Sequence, residues 1–102
     1  MATVEELTDR IRRAAASGDG LSRTVKLDLK GEGFIHLDGA AVTNDDRPAD
    51  LTVRVSRADL VRLGKGELNP MSAVMTGRMK LSDMSLAMTL TPEIQALFEK
   101  AV

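Results

Sequence analysis

His36 is the only side chain in this 102-residue sequence that ordinarily titrates near neutrality, which makes it the first candidate for acid–base chemistry. Catalysis by an imidazole needs a nucleophile or a reacting proton within reach, and usually a second group that orients the ring. The sequence supplies neither: it has no cysteine, no second histidine and no G-x-S-x-G turn to lift a serine out of a strand. His36 also shares with Phe34 the outward register of the stretch GFIHLDG, so it reads as a solvated surface residue. Asp45, Asp46 and Asp50 are the right ligand type for a hard cation. They lack the spacing and the closing glutamate of a calcium loop, however, and read as a solvated loop. Gly64-x-Gly66 follows a helical pattern rather than a strand, so it is a turn and not a dinucleotide loop. Glu5 and Glu6 complement a helix N-terminus. The expectation is no catalytic residue, no metal site and no cofactor.

The distinctive side chains are thioethers. The stretch VMTGRMKLSDMSLAMTL, residues 74–90, holds Met75, Met79, Met84 and Met88, four of the six methionines, with Met71 just upstream. Methionine is unbranched and adaptable, whereas leucine, isoleucine and valine specify a single packing more tightly. Two readings follow. Either these residues fill an ordinary core at helix and strand spacing, or some of them line a cavity that adapts to a ligand. Arg78 and Lys80 flank Met79 and face outward, either as the wet side of a strand or as attractors for an anionic head group.

Composition limits the partners. About a hundred residues with 43% hydrophobic content make one core and hence one domain, residues 1–102. Fourteen basic residues are dispersed among fifteen acidic ones, without the basic stripe that grips phosphates. Trp and Tyr are absent, and Phe34 and Phe98 are the only aromatics, so stacking platforms for single-stranded nucleic acid are missing too. Nucleic acid is therefore not an expected partner. The lack of cysteine suits a reducing compartment, and MATVEELTDR has no basic segment followed by an apolar run. The expectation is a soluble, cytoplasmic chain.

The positioning elements are legible from periodicity. Thr3-x-x-Glu6 is a capping box, followed at helical spacing by Val4, Leu7, Ile11 and Ala14 until Gly18 and Gly20. From Thr24 the period becomes two: Val25, Leu27 and Leu29 alternate with Lys26, Asp28 and Lys30. Ile35 and Leu37 repeat the pattern, AAVT adds a brief strand, NDDRP is a loop, and Leu51, Val53 and Val55 alternate again. Ser56-x-x-Asp59 caps a short helix ended by Gly64. Asn69-Pro70 opens another, on which Met71, Val74 and Met75 share a face before Gly77. Arg78 to Leu81 is a last strand. Ser82 and Asp83 start a helix through Met84 and Met88, and Thr91-Pro92-Glu93 restarts one with Ile94, Leu97 and Phe98 as its stripe.

In this order the elements resemble the SCP-2 sterol transfer family. The resemblance is carried by ADLTVRVSRADLVRLGKGELNPMSAVMTGRMKLSDMSLAMTL, residues 49–90: an Ala-Asp before an alternating strand, an Asp-Leu helix running into a Leu-x-x-Gly turn, the block Gly77-Arg78-Met79-Lys80-Leu81, and Met84-x-Leu86-Ala87-Met88. VKLDLKGEGFIHLDG resembles the family's first hairpin. The resemblance implies an α+β fold, a five-stranded, mainly antiparallel sheet with helices packed on one face, and an apolar tunnel between sheet and C-terminal helices. It also implies noncatalytic binding of a fatty acid, an acyl-CoA ester or a sterol-like lipid, with transient membrane contact. On this view Met71, Val74, Met75, Met79, Met84 and Met88 line the tunnel, with Ile94, Leu97 and Phe98 as a terminal lid. Scarcity of aromatics favours a flexible acyl chain over a rigid sterol. The competing expectation is a noncatalytic interaction module, or a dimer, that covers the same apolar surface.

Overall fold

Period-two alternation dictates the sheet, because a strand presents successive side chains to opposite faces. In the computed structural model, which describes residues 3–16, 21–39 and 41–101 apart from the side chains of Phe98 and Ala101, five strands form one sheet. They are β1 (Val25–Asp28), β2 (Phe34–Asp38), β3 (Ala41–Thr43), β4 (Leu51–Val55) and β5 (Met79–Leu81), in the order β3-β2-β1-β4-β5. Only β1 and β4 run parallel; the other neighbours are antiparallel. Val25 lies opposite Leu37 and Leu51, and Leu27 opposite Ile35 and Val53, so the apolar residues share one face. All of them are buried, together with Leu29 and Val55. Ala40 and the glycines expected to stop the first helix, Gly18 and Gly20, lie outside the described residues.

Among the described residues four helices cover that face: α1 (Val4–Ala16), α2 (Arg57–Gly64), α3 (Pro70–Met75) and α4 (Met84–Ala101). Leu7 and Ile11 of α1, Leu60 and Leu63 of α2, Ala73 of α3 and Leu90 and Leu97 of α4 join the strand residues in one cluster. The expected caps are made. Thr3 Oγ1 accepts from the Glu6 N–H at 3.1 Å, Ser56 Oγ from the Asp59 N–H at 3.1 Å, and Asn69 Oδ1 from the Met71 N–H at 2.8 Å.

Two expectations are corrected here. The chain does not restart a helix at Thr91-Pro92, because α4 runs unbroken through Pro92. A proline in a helix interior costs about 3 kcal/mol through its missing N–H and its ring clash. Ala87, Leu90 and Leu97 on one stripe offset this by burial, at about 1.5–3 kcal/mol for each leucine. His36 is not solvated either; only 4% of it is exposed. The loop after β3 crosses the outer face of the sheet, where His36 Nε2 lies 3.2 Å from the Pro48 carbonyl oxygen and Lys26 Nζ donates to Asp46 Oδ1 at 2.7 Å. The alternation placed His36 on the correct face, but the crossover that roofs it leaves no periodic signal.

The crossover ends in a reciprocal pair: the Asp50 N–H donates to Thr24 Oγ1 at 2.8 Å and the Thr24 N–H to Asp50 Oδ2 at 3.3 Å. The Thr24 N–H, helped by the Thr24 hydroxyl and the Arg23 guanidinium, holds the Asp50 carboxyl below the usual carboxylate range. A carboxylate depressed by folding adds stability above its unfolded pKa and loses it as pH falls through the lower folded value. Asp50→Asn is thus expected to flatten the acid limb of the stability–pH curve, below about pH 4. Urea midpoints measured across that range check this; parallel curves for the two proteins would contradict it.

Candidate binding site

Between the inner sheet face and the helices lies an apolar hollow of about 60 Å³. Leu27, Leu51, Val53 and Val55 form its floor, Leu60 and Leu63 one side, and Ala87, Thr91, Ile94 and Gln95 the roof. Pro70, Met79 and Leu81 close it outward and, with Ala87 and Thr91, also border a second, more open hollow of about 240 Å³. Asn69, Met71, Val74, Met84 and Met88 complete this outer hollow. Small-molecule sites commonly measure about 300–1,000 Å³, so the inner hollow is a narrow apolar seam beside a shallow outer one, both below that range.

The methionines divide between these surroundings. Met79, 9% exposed on β5, stands between the two hollows, while Met71 (59%), Met84 (49%) and Met88 (63%) rim the outer one. Met75, 81% exposed, borders neither. On α3 the buried residue is Ala73. At about 100° per residue, Met71 and Met75 are each turned some 160° away from Ala73, toward solvent, and Val74 falls between. The face shared by Met71, Val74 and Met75 is therefore not the inward one. Sequence reasoning passed over Ala73 and Ala87, because a small residue gives no hydrophobic signal at the point where two elements approach closely.

The terminal part of α4, where the sequence suggested a lid, is anchored rather than loose. Leu90 and Leu97 are buried, α4 packs along α1, and the Glu93 carboxylate accepts from the Ser22 N–H and from Ser22 Oγ, both at 2.9 Å. Ile94 is half-buried in the roof of the inner hollow. Arg78 is engaged as well: its Nη1 lies 3.4 Å from Asp59 Oδ1, which Arg62 Nη1 also approaches at 3.5 Å. Asp59 thus ties α2 to the turn before β5. Lys80 lies opposite Arg54 on the outer face of the sheet, away from both hollows.

Chemically, the hollows offer little beyond grease. Among the described residues, Asn69, Thr91 and Gln95 are the polar side chains that line them, and the Thr91 hydroxyl already donates to the Ala87 carbonyl at 2.6 Å. A larger surface groove of about 590 Å³ runs between α1 and α2, but Glu6, Arg10, Arg62, Lys65 and Glu67 ring it with charge, so size alone does not select a site. No helix among the described residues is long and apolar enough to cross a membrane.

The sequence profile of the SCP-2 sterol transfer family matches residues 3–95. This chain belongs to that family. Sterol carrier protein 2 of Oryctolagus cuniculus is 40% identical over 53 residues, which is 51% of this chain but 10% of the rabbit protein. The Homo sapiens protein is 38% identical over the same length, so the chain spans a small part of these relatives. Among solved folds of the SCP-2 type, sterol carrier protein 2-like 2 from Aedes aegypti superposes with a TM-score of 0.73 at 23% identity, over 85% of this chain and 92% of that one. Aedes aegypti sterol carrier protein 2 in complex with palmitate gives 0.69 at 17% identity, over 90% and 94%. The mixed sheet with its helices is thus the SCP-2 fold.

Proposed function

We propose that residues 1–102 form one noncatalytic, cytoplasmic lipid-binding domain that carries a single flexible acyl chain, such as that of a long-chain fatty acid. The observation that carries this reading is the apolar seam under α4, which shares Met79 with a methionine-rimmed outer hollow. The family supports it, as does the palmitate held by the Aedes aegypti relative of the same fold. Sterols and acyl-CoA esters fit less readily. A rigid ring system needs a wide preformed cavity, and Arg78, which adjoins Met79, is committed to Asp59.

The energetics suffice without a polar anchor. About 14 methylenes at ~0.8 kcal/mol each gain roughly 11 kcal/mol on leaving water. Association and ordering subtract several kcal/mol, leaving a Kd of around micromolar. To admit the chain, α3 and the first half of α4 must part from the sheet. That end carries the exposed Met84 and Met88, whereas the second half of α4 is pinned by Leu97 and Glu93. Methionines at the mouth are suited to this movement because they repack at little cost, and they provide an apolar rim for transient contact with the membrane that donates the lipid.

Native mass spectrometry of the purified protein, with and without added palmitate, tests this reading. The expected spectrum is a monomer carrying one fatty-acid mass. A bare monomer at saturating palmitate would refute it, and a ligand-free dimer would favour the interaction-module reading, in which a second copy covers the methionine rim.

A further inference from the structure

We infer that Met71, Met84 and Met88 form a reversible oxidation site whose sulfoxides close the outer hollow to acyl chains. The inference rests on the lipid-binding reading above. Met71, Met84 and Met88 border one hollow, and each is about half exposed or more, whereas Met79, which stands behind them, is nearly buried. The rim therefore presents its sulfurs to water before a ligand arrives, and must lie against apolar surface once one is bound. Leucine would build the same apolar mouth without being oxidisable.

The oxidant is a peroxide. A lone pair on the thioether sulfur attacks one oxygen of hydrogen peroxide, an S–O bond forms as the O–O bond breaks, and the departing hydroxide leaves as water after proton transfer. Sulfur loses two electrons and peroxide gains them. Sulfoxide reductases reverse the step by using two thiols, which become a disulfide, and release the oxygen as water. Each oxidised side chain gains a strong dipole at the point where the acyl chain must enter. Desolvating even one such group without a partner weakens binding by about tenfold or more.

Met75 provides a control within the molecule. It is the most exposed of the five, so it oxidises readily, yet it borders neither hollow and its sulfoxide is expected to be silent.

The experiment treats the full chain with hydrogen peroxide, maps sulfoxides by peptide mass spectrometry and titrates palmitate by calorimetry. Circular dichroism confirms that the fold persists. Met71, Met75, Met84 and Met88 should oxidise ahead of Met79, palmitate affinity should fall about tenfold or more, and methionine sulfoxide reductases with dithiothreitol should restore it. Met75→Leu should lose as much affinity on oxidation as the parent. The triple variant Met71→Leu, Met84→Leu, Met88→Leu should change little on peroxide treatment, whatever its starting affinity. Unchanged affinity of the oxidised parent, equal losses in the triple variant, failure of the reductases to restore binding, or unfolding on oxidation would each overturn the inference. If the untreated parent does not bind palmitate, it is the lipid-binding reading that fails.

Discussion

Replacing Ala87 with phenylalanine is expected to abolish acyl-chain binding while leaving the protein folded. Ala87 is buried and borders both hollows, so on the proposed function its Cβ stands where a chain would pass from the methionine rim into the seam. A phenyl ring built there occupies the inner hollow of about 60 Å³. It would deny the ligand the length of about four methylenes, ~3 kcal/mol of transfer free energy, or more than about a hundredfold in affinity. Overpacking costs roughly 1–3 kcal/mol, within what a domain of this size tolerates. Displacement of a fluorescent fatty acid measures the first effect and urea denaturation the second. Arg54→Ala, on the outer face of the sheet, should change neither by more than a few tenths of a kcal/mol. Parent-like binding by folded Ala87→Phe would mean that no acyl chain lies under α4. If that variant does not fold, Ala87→Leu makes a smaller intrusion and should still weaken binding severalfold.

The largest effect on stability is expected at Leu37. It is buried on β2 with Val25 and Val42 opposite it, and it borders neither hollow, so truncation leaves a cavity that no bound lipid can fill. Leu37→Ala should cost about 2–5 kcal/mol, a large share of the total stability of a small domain. The urea midpoint should fall without a change in slope, since the surface exposed on unfolding is nearly the same. The protein that remains folded should bind palmitate with parental affinity. A loss below about 1 kcal/mol would mean that the inner face of β2 is not the packed centre of the molecule.

What could be read in advance divides along physical lines. The strands were legible because Val25, Leu27, Leu29 and their counterparts repeat at period two across an inside–outside boundary, and the helix starts because Thr3, Ser56 and Asn69 are capping residues. His36 was misjudged because burial by a loop depends on where the chain crosses, which alternation does not encode. Pro92 was misjudged because a strong local rule yielded to tertiary burial along Ala87, Leu90 and Leu97. In the candidate site, methionine content drew attention to residues 71–88, but it did not separate Met71, Met84 and Met88, which border the outer hollow, from Met79, which borders both hollows, or Met75, which borders neither. That partition depends on which element carries each methionine, Met79 on β5, Met84 and Met88 on α4, and Met71 and Met75 at opposite ends of α3.

The same partition supplies the most direct measurement. With methionine methyl groups labelled with ¹³C, titration with palmitate reports on the mouth, the seam and the outer surface of α3 at once. The account predicts large shifts at Met79, Met84 and Met88, a smaller one at Met71, none at Met75, and intermolecular contacts from the acyl chain to Met79. Saturable binding that leaves Met79 and Met88 unmoved, or that moves Met75 alone, would contradict it.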